Sequence, residues 1–138
     1  LILVADDDEE DRLLIEEAFV QNGLFGHTHF VEDGEDAIAF LKNCLCKGET
    51  LPSLIMLDVN MPRKSGLETL QVIRATPKLK HLPVLMMTSS RREIEHSYDL
   101  GANSYLVKPV LFNDLIQMLG EVTAYWRDTV SLPTDLAD

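Results

Sequence analysis

Three acids stand where an apolar environment is expected. Asp6 and Asp7 follow directly on LILVA, and Asp58 closes LIML, a run with no other polar residue. The acids after Asp7, as far as Asp11, have an ordinary use as a helix start, where carboxylates favour the positive end of the macrodipole. Asp6 and Asp7 suit that use less well, because they terminate a strand at its turn into a helix. Taken alone, Asp58 reads as an N-cap or turn residue. If the two apolar runs are neighbouring strands, however, Asp6, Asp7 and Asp58 converge at one sheet edge. Like charges about 4 Å apart at an effective dielectric constant of 20 repel by roughly 4 kcal/mol per pair, so such a cluster needs a cation. A few hard carboxylate ligands, with positions left for water and a phosphate, suit Mg2+. Thr88 and Lys108 end two further apolar runs. Separately they are a backbone-capping hydroxyl and a solvated cation. Together they offer a hydroxyl donor and a fixed positive charge, the complement of an anionic phosphoryl group. Pro109 stops any helix at Lys108, and the isomer of that peptide is left open.

The elements that must place these groups follow from periodicity. Apolar runs of strand length, Leu1 to Ala5, Thr28 to Glu32, Leu54 to Val59, Pro83 to Thr88 and Ser104 to Val107, alternate with amphipathic segments of helix length. That alternation implies an α/β fold, a parallel sheet with helices on both faces, whose ligand sites lie at the carboxyl ends of the strands. The first, third and fourth runs are nearly all apolar, as central strands are, while the second alternates like an edge. Helical stripes run through Leu14, Ile15, Ala18 and Phe19, through Ala37, Ile38, Leu41 and Leu45, and through Leu67, Leu70 and Ile73. A fourth segment, Arg91 to Leu100, keeps only Ile94, Tyr98 and Leu100 as larger apolar groups and should be the least firmly packed. The fifth, from Phe112 to Trp126, is the strongest.

Composition excludes several function classes. The 138 residues carry 23 acidic and 12 basic side chains, a net charge of −11, with 46% apolar residues. Such a chain makes one globular domain. Its charge argues against nucleic acid and against an anionic membrane surface. No apolar run approaches about 18 residues, and a signal peptide's basic flank and cleavage site are missing, so a cytoplasmic location is expected. Cys44 and Cys46 read as reduced structural thiols. A flavin would need a hydroxyl- and glycine-rich phosphate loop after the first strand, where this chain has acids.

The ordered set of LILVADDD, Asp58 followed by VNMP and Gly66, Thr88-Ser89, Gly101-Ala102, and Tyr105 three residues before Lys108-Pro109 resembles the receiver domain of bacterial two-component response regulators. The resemblance spans the whole chain. It implies a flavodoxin-like, doubly wound sheet of five parallel strands in the order 2-1-3-4-5 with five helices. It also implies that Asp58 is the phosphoacceptor, that Asp6 and Asp7 hold Mg2+ together with Asp58 and the backbone carbonyl of Asn60, that Thr88 and Lys108 bind phosphoryl oxygens, and that Thr88 and Tyr105 form the switch. A register with Asp7 and Asp8 as the metal pair is the alternative; Asp6 and Asp7 keep the family's spacing to the first helix. Asp58 would take a phosphoryl group from a sensor histidine kinase, in a protein that is no enzyme beyond assisting its own phosphorylation and slow autodephosphorylation.

The segment DGEDAIAFLKNCLCKGETLPS, SYDLGANSYLVKPV and the pair Tyr125-Trp126 resemble stand-alone regulators paired with bacterial and cyanobacterial phytochrome kinases. Residues 1–128 are expected to form the receiver and 129–138 a tail, with no output domain, so that the signal passes by protein contact to a downstream target or a phosphotransfer protein. A homodimer through the last helix and a hydrophobic end-cap there are alternatives of equal standing. Ser65 stands where the family often has an acid before the glycine, and Arg63 and Lys64 make that loop locally basic; tuning of partner choice is one reading, and a solvated loop is the safer one. Asn60 and Ser90 match positions that tune phosphate lifetime. An aspartyl-nucleophile phosphohydrolase is disfavoured, since it needs an acid where this chain has Asn60. A receiver that has lost its chemistry is disfavoured because Asp6, Asp7, Asp58, Thr88 and Lys108 are all present.

Overall fold

The computed structural model describes residues 1–88 and 94–126. Five parallel strands form one sheet in the order β2-β1-β3-β4-β5. The elements are β1 (Ile2–Ala5), α1 (Glu9–Gln21), β2 (Thr28–Val31), α2 (Gly34–Lys47), β3 (Leu54–Asp58), α3 (Gly66–Ala75), β4 (Val84–Thr88), α4 (Ile94–Asp99), β5 (Ser104–Val107) and α5 (Phe112–Ala124). Every residue of β1, β3 and β4 is buried, while β2 at one edge and β5 at the other are half-covered. This is the burial expected when crossover helices cover both faces of a parallel sheet.

Alternation along the strands divides the core in two. Leu3, Ala5, Ile55, Leu57, Val84 and Met86 face α2 and α3. Ile2, Val4, Leu54, Met56, Leu85 and Met87 face α1 and α5, packing on Ile15, Phe19, Leu115 and Leu119. Leu14, placed on the α1 stripe by periodicity, is instead 45% exposed, because Ile15, Ala18 and Phe19 already fill the buried face. On α4 Ser97 is the buried side chain, in keeping with the thin apolar stripe. The expected start of that helix at Arg91, together with Ser89, Ser90 and the tail from Thr129, lies outside the described residues.

Helix starts are fixed locally. Asp8 caps α1 by accepting the Asp11 N–H, Asp33 caps α2 by accepting the Asp36 N–H, and Ser65 and Glu68 form a capping box on α3. Gly66 is required by close approach, since a Cβ there would collide with the Asp58 carbonyl. Arg74, on the last turn of α3, donates to the carbonyls of Gly101, Lys80 and Leu82 and to Asn103 Oδ1, tying α3 to the turn between α4 and β5.

Register does the rest. Ala5 pairs with Leu57, so Asp6 and Asp58 follow side by side; Asp58 pairs with Met87, just before Thr88; Thr88 pairs with Val107, just before Lys108. Four strand ends thus carry the expected chemistry to one edge. The Lys108–Pro109 peptide is trans.

Candidate functional site

Asp6, Asp58 and Lys108 continue the alternation of their strands onto the α1/α5 side of the sheet, and there they meet. Lys108 Nζ donates to Asp6 Oδ2 at 2.7 Å, to Asp11 Oδ2 at 2.9 Å and to Asp58 Oδ2 at 3.0 Å. Each acid at a strand end also uses its second oxygen within its own turn: Asp8 N–H donates to Asp6 Oδ1 at 3.0 Å, and Asn60 N–H to Asp58 Oδ1 at 3.2 Å. These turns fix the carboxylates before any ligand arrives. The Arg12 guanidinium, on the first turns of α1, donates to the Asp6 carbonyl at 2.8 Å and holds the helix against the strand end.

The electrostatics reflect unequal burial. Asp6 is 1% exposed. Burial pushes its carboxyl above the usual carboxylate range, with the Asp58 charge adding to that, and the bonds from Lys108 and the Asp8 N–H offset only part of it. Burial would lower the pKa of Lys108, but hydrogen bonds to Asp6 and Asp11 and the charges of Asp58 and Asp6 outweigh it and hold the ammonium well above the ordinary lysine value. Both partners of the Lys108–Asp6 ion pair therefore shift upward: one cation is shared among three acids, of which Asp6 is the most desolvated.

The positions singled out from sequence fall into two groups. Asp6, Asp7 and Asp58 each offer a carboxylate oxygen, all within 4.8 Å of one another, with Asp7 the exposed member. Asp8 is engaged as the α1 cap. Asn60 is exposed and binds Asp58 through its backbone N–H. Thr88 and Tyr105 lie on the opposite parity from Lys108. Thr88 is buried and accepts the Lys108 backbone N–H at 2.8 Å. Tyr105 is half-buried, packs against the α2/α3 core, and donates its N–H to Tyr98 Oη of α4 at 3.1 Å.

Two features escaped the sequence reading. Asp11, assigned to a helix start, is a direct partner of Lys108; the available signal was its place four residues before the buried Ile15, on the inward face of α1. Arg63, read as part of a solvated loop, is a correction of the same kind. Its Nε donates to Asp33 Oδ2 at 2.6 Å and its Nη2 to Asp36 Oδ1 at 3.1 Å. With φ at 62° it is the non-glycine residue in the left-handed region among those described.

The donor set consists of three carboxylates with neither imidazole nor thiolate, one of them open to solvent. That chemistry fits a hard divalent cation. Asp6, Asp7 and Asp58 are the residues that would hold it.

Comparison with known proteins agrees with this arrangement. Residues 2–120 match the response regulator receiver domain family. The response regulator Rcp1 of a Synechocystis strain is 35% identical over 96% of this chain and 92% of its own length. The crystal structure of the phosphorylated cyanobacterial phytochrome response regulator RcpA superposes with a TM-score of 0.87 at 34% identity, covering 96% of both chains. The Mn2+-bound form of Rcp1 superposes with a TM-score of 0.83 at 35% identity, covering 96% of this chain and 97% of that one. With strand order, strand-end acids and these likenesses in agreement, the chain belongs to the response regulator receiver domain family, whose role is phosphorylation-dependent signalling.

Proposed function

We propose that Asp58 accepts a phosphoryl group from the phosphohistidine of a sensor histidine kinase in a Mg2+-dependent reaction, and that the resulting acyl phosphate controls contact with other proteins. The observation that carries this reading is the Asp58 carboxylate itself, fixed at a strand end by the Asn60 N–H, bonded to Lys108 and placed beside two further acids. In the transfer, an Asp58 oxygen forms the new O–P bond as the P–N bond breaks; the electron pair passes to the imidazole nitrogen, and the ring, protonated on its other nitrogen, leaves as neutral imidazole. Asp6, Asp7, Asp58 and the Asn60 carbonyl would hold Mg2+, which when bound would supply charge neutralisation on the transferred group. Lys108 binds a phosphoryl oxygen and Thr88 offers it a hydroxyl. The capping role of Asp8 supports Asp6 and Asp7 as the metal pair.

After transfer, Thr88 and Tyr105 change position together. The thin burial of α4 and the bond from Tyr105 to Tyr98 support the α4–β5 region as the element that responds. Water slowly hydrolyses the acyl phosphate. The relatives point to a phytochrome-type kinase as donor, and the receiver to a downstream protein or a phosphotransfer domain as recipient. Residues 1–128 form the receiver, followed by the tail at 129–138. Among the described residues no helix is long and apolar enough to cross a membrane. The cytoplasmic location of the proposal rests on membership of the receiver family. Trp126 packs on the α1/α5 core and Tyr125 is exposed, which leaves Tyr125 for a homodimer contact.

Incubation with a small phosphodonor and Mg2+, followed by intact-mass measurement, tests the assignment. One phosphoryl adduct is expected in the wild-type protein and none in Asp58→Asn or after metal chelation. Failure of the wild-type protein to form it, or its persistence in Asp58→Asn, overturns the reading.

A further inference from the structure

An ammonium group has three N–H donors, and those of Lys108 go to three different carboxylates on three elements: Asp6 after β1, Asp11 on α1 and Asp58 at the end of β3. Asp6 and Asp58 belong to the acidic cluster that fits a cation, but Asp11 does not. Asp11 also forgoes the usual task of its position. It is the third residue of α1, where a longer acid could reach back to the N-cap, as Glu68 does on α3. Its backbone N–H is held by Asp8 Oδ1 at 3.2 Å, and its carboxylate turns inward to Lys108.

We propose that Asp11 is a positioning residue for phosphoryl transfer: it tethers the Lys108 ammonium at the site when Asp6 and Asp58 turn to other partners. The inference rests on the phosphoacceptor reading of Asp58. When a cation occupies the acidic cluster, the oxygens of Asp6 and Asp58 that now face Lys108 are drawn away from it. Two of its three bonds are then lost, and a flexible four-carbon side chain would regain its rotamer freedom. Asp11, outside the cation's ligand set and anchored on a helix, keeps one bond throughout. The ammonium stays within reach of the incoming phosphoryl group with two donors available for its oxygens. Asp11 touches neither metal nor phosphoryl group; its effect passes through Lys108 alone.

A double-mutant cycle tests this, because a residue that acts through another must lose its effect when the other is gone. At saturating phosphodonor and metal, Asp11→Asn is expected to slow phosphorylation about five-fold, the effect of one charge-assisted hydrogen bond, while Asp11→Glu restores most of the rate. In a Lys108→Ala background, Asp11→Asn should change nothing further. A second readout needs no donor: in the Mg2+-loaded protein, where Asp11 is the partner that remains, the Lys108 ammonium resonance should be protected from hydrogen exchange and should lose that protection in Asp11→Asn. Equal slowing in both backgrounds, no slowing in the wild-type background, or an unaltered Lys108 resonance overturns the tether. If the wild-type protein forms no adduct, or Asp58→Asn still forms one, it is the phosphoacceptor reading that fails; the ammonium resonance still reports on the tether separately. Asp11 is 37% exposed in its side chain and outside the core, so the variants are expected to retain the fold, which thermal melting of each variant checks.

Discussion

Among the described residues, two cations each face three carboxylates. Lys108 meets Asp6, Asp11 and Asp58, and its side chain is 15% exposed; Arg63 meets Asp33, Glu35 and Asp36, and its side chain is 53% exposed. The acids around Arg63 belong to one short segment, the start of α2, so the guanidinium staples the loop after β3 to that helix. Gly34 completes the staple by donating its N–H to the Lys64 carbonyl at 3.2 Å. The acids around Lys108 come from three separate elements, and among the described residues the ammonium is the group that bridges all three. The most buried acid of each cluster, Asp6 in one and Asp33 in the other, shifts in the opposite direction from its counterpart. Burial pushes both upward, but the N–H groups of Asp36 and Glu35 and a planar guanidinium bring Asp33 below the usual carboxylate range, whereas Asp6 has one backbone donor and a third share of a cation. A buried acid is settled by how many donors it owns. The Arg63 cluster is a completed structure, and the Lys108 cluster is one that a different cation can improve.

The largest effect expected from breaking this contrast is kinetic. Lys108→Ala should slow phosphorylation by about 100-fold, the usual cost of one donor to developing charge. Arg63→Ala should leave the rate near that of the wild-type protein under the same donor and metal. The same pair reverses in a metal titration followed by melting temperature: Mg2+ should raise the Tm of Lys108→Ala more than that of the wild-type protein, because the acids have lost their other cation. Equal shifts would show that the ammonium and the metal do not compete.

Stability separates the clusters next. Asp33→Ala removes a helix cap and an anchor of Arg63 together, and should cost about 1–2 kcal/mol by chemical denaturation. Asp6 behaves in the opposite sense. Its folded-state pKa is raised, so its contribution to stability is full below the ordinary carboxyl value of 3.8 and is lost as pH rises through the raised value. Asp33 has a lowered folded-state pKa, so its contribution is present above that ordinary value and is lost as pH falls through the depressed one. In metal-free protein, Asp6→Asn should therefore raise the Tm at neutral pH, with the gain fading on acidification. Asp33→Asn should lower it at neutral pH, with the loss fading only at still lower pH. Profiles that run in parallel would remove the distinction. The smallest effect concerns salt: screening should weaken the half-exposed Arg63 pairs by a few tenths of a kcal/mol and the Lys108 cluster less, read as the salt dependence of Arg63→Ala against Asp11→Asn.

Much of this architecture was legible in the chain. Apolar runs gave five strands in nearly their observed places, since buried strands of a parallel sheet tolerate few polar residues and the exceptions stand out; Asp58 at the end of LIML is the clearest. Thr88 and Lys108 were visible for the same reason. Asp11 and Arg63 were not, because an acid in a first helical turn and a base in a loop are each satisfied by solvent in most proteins; the spacing of Asp11 to the buried Ile15 was a weak local signal, and Arg63 had none. Leu14 failed through the reverse ambiguity, for helical periodicity tolerates a neighbour on either side of the stripe and only packing selects one.

What the chain determined alone was the set of elements and the residues at their ends, through hydrophobic periodicity and capping, which act over a few residues. The tertiary structure decided which ends meet. Parallel register set Asp6 beside Asp58 and placed Thr88 and Lys108 one step past their strand partners, and alternation then sent Asp6, Asp58 and Lys108 to the face of α1, where Asp11 waits, and Thr88 and Tyr105 to the other. Coulomb interactions among these groups matter only within a few ångströms, and residues 6, 11, 58 and 108 come within that range only when the sheet has formed.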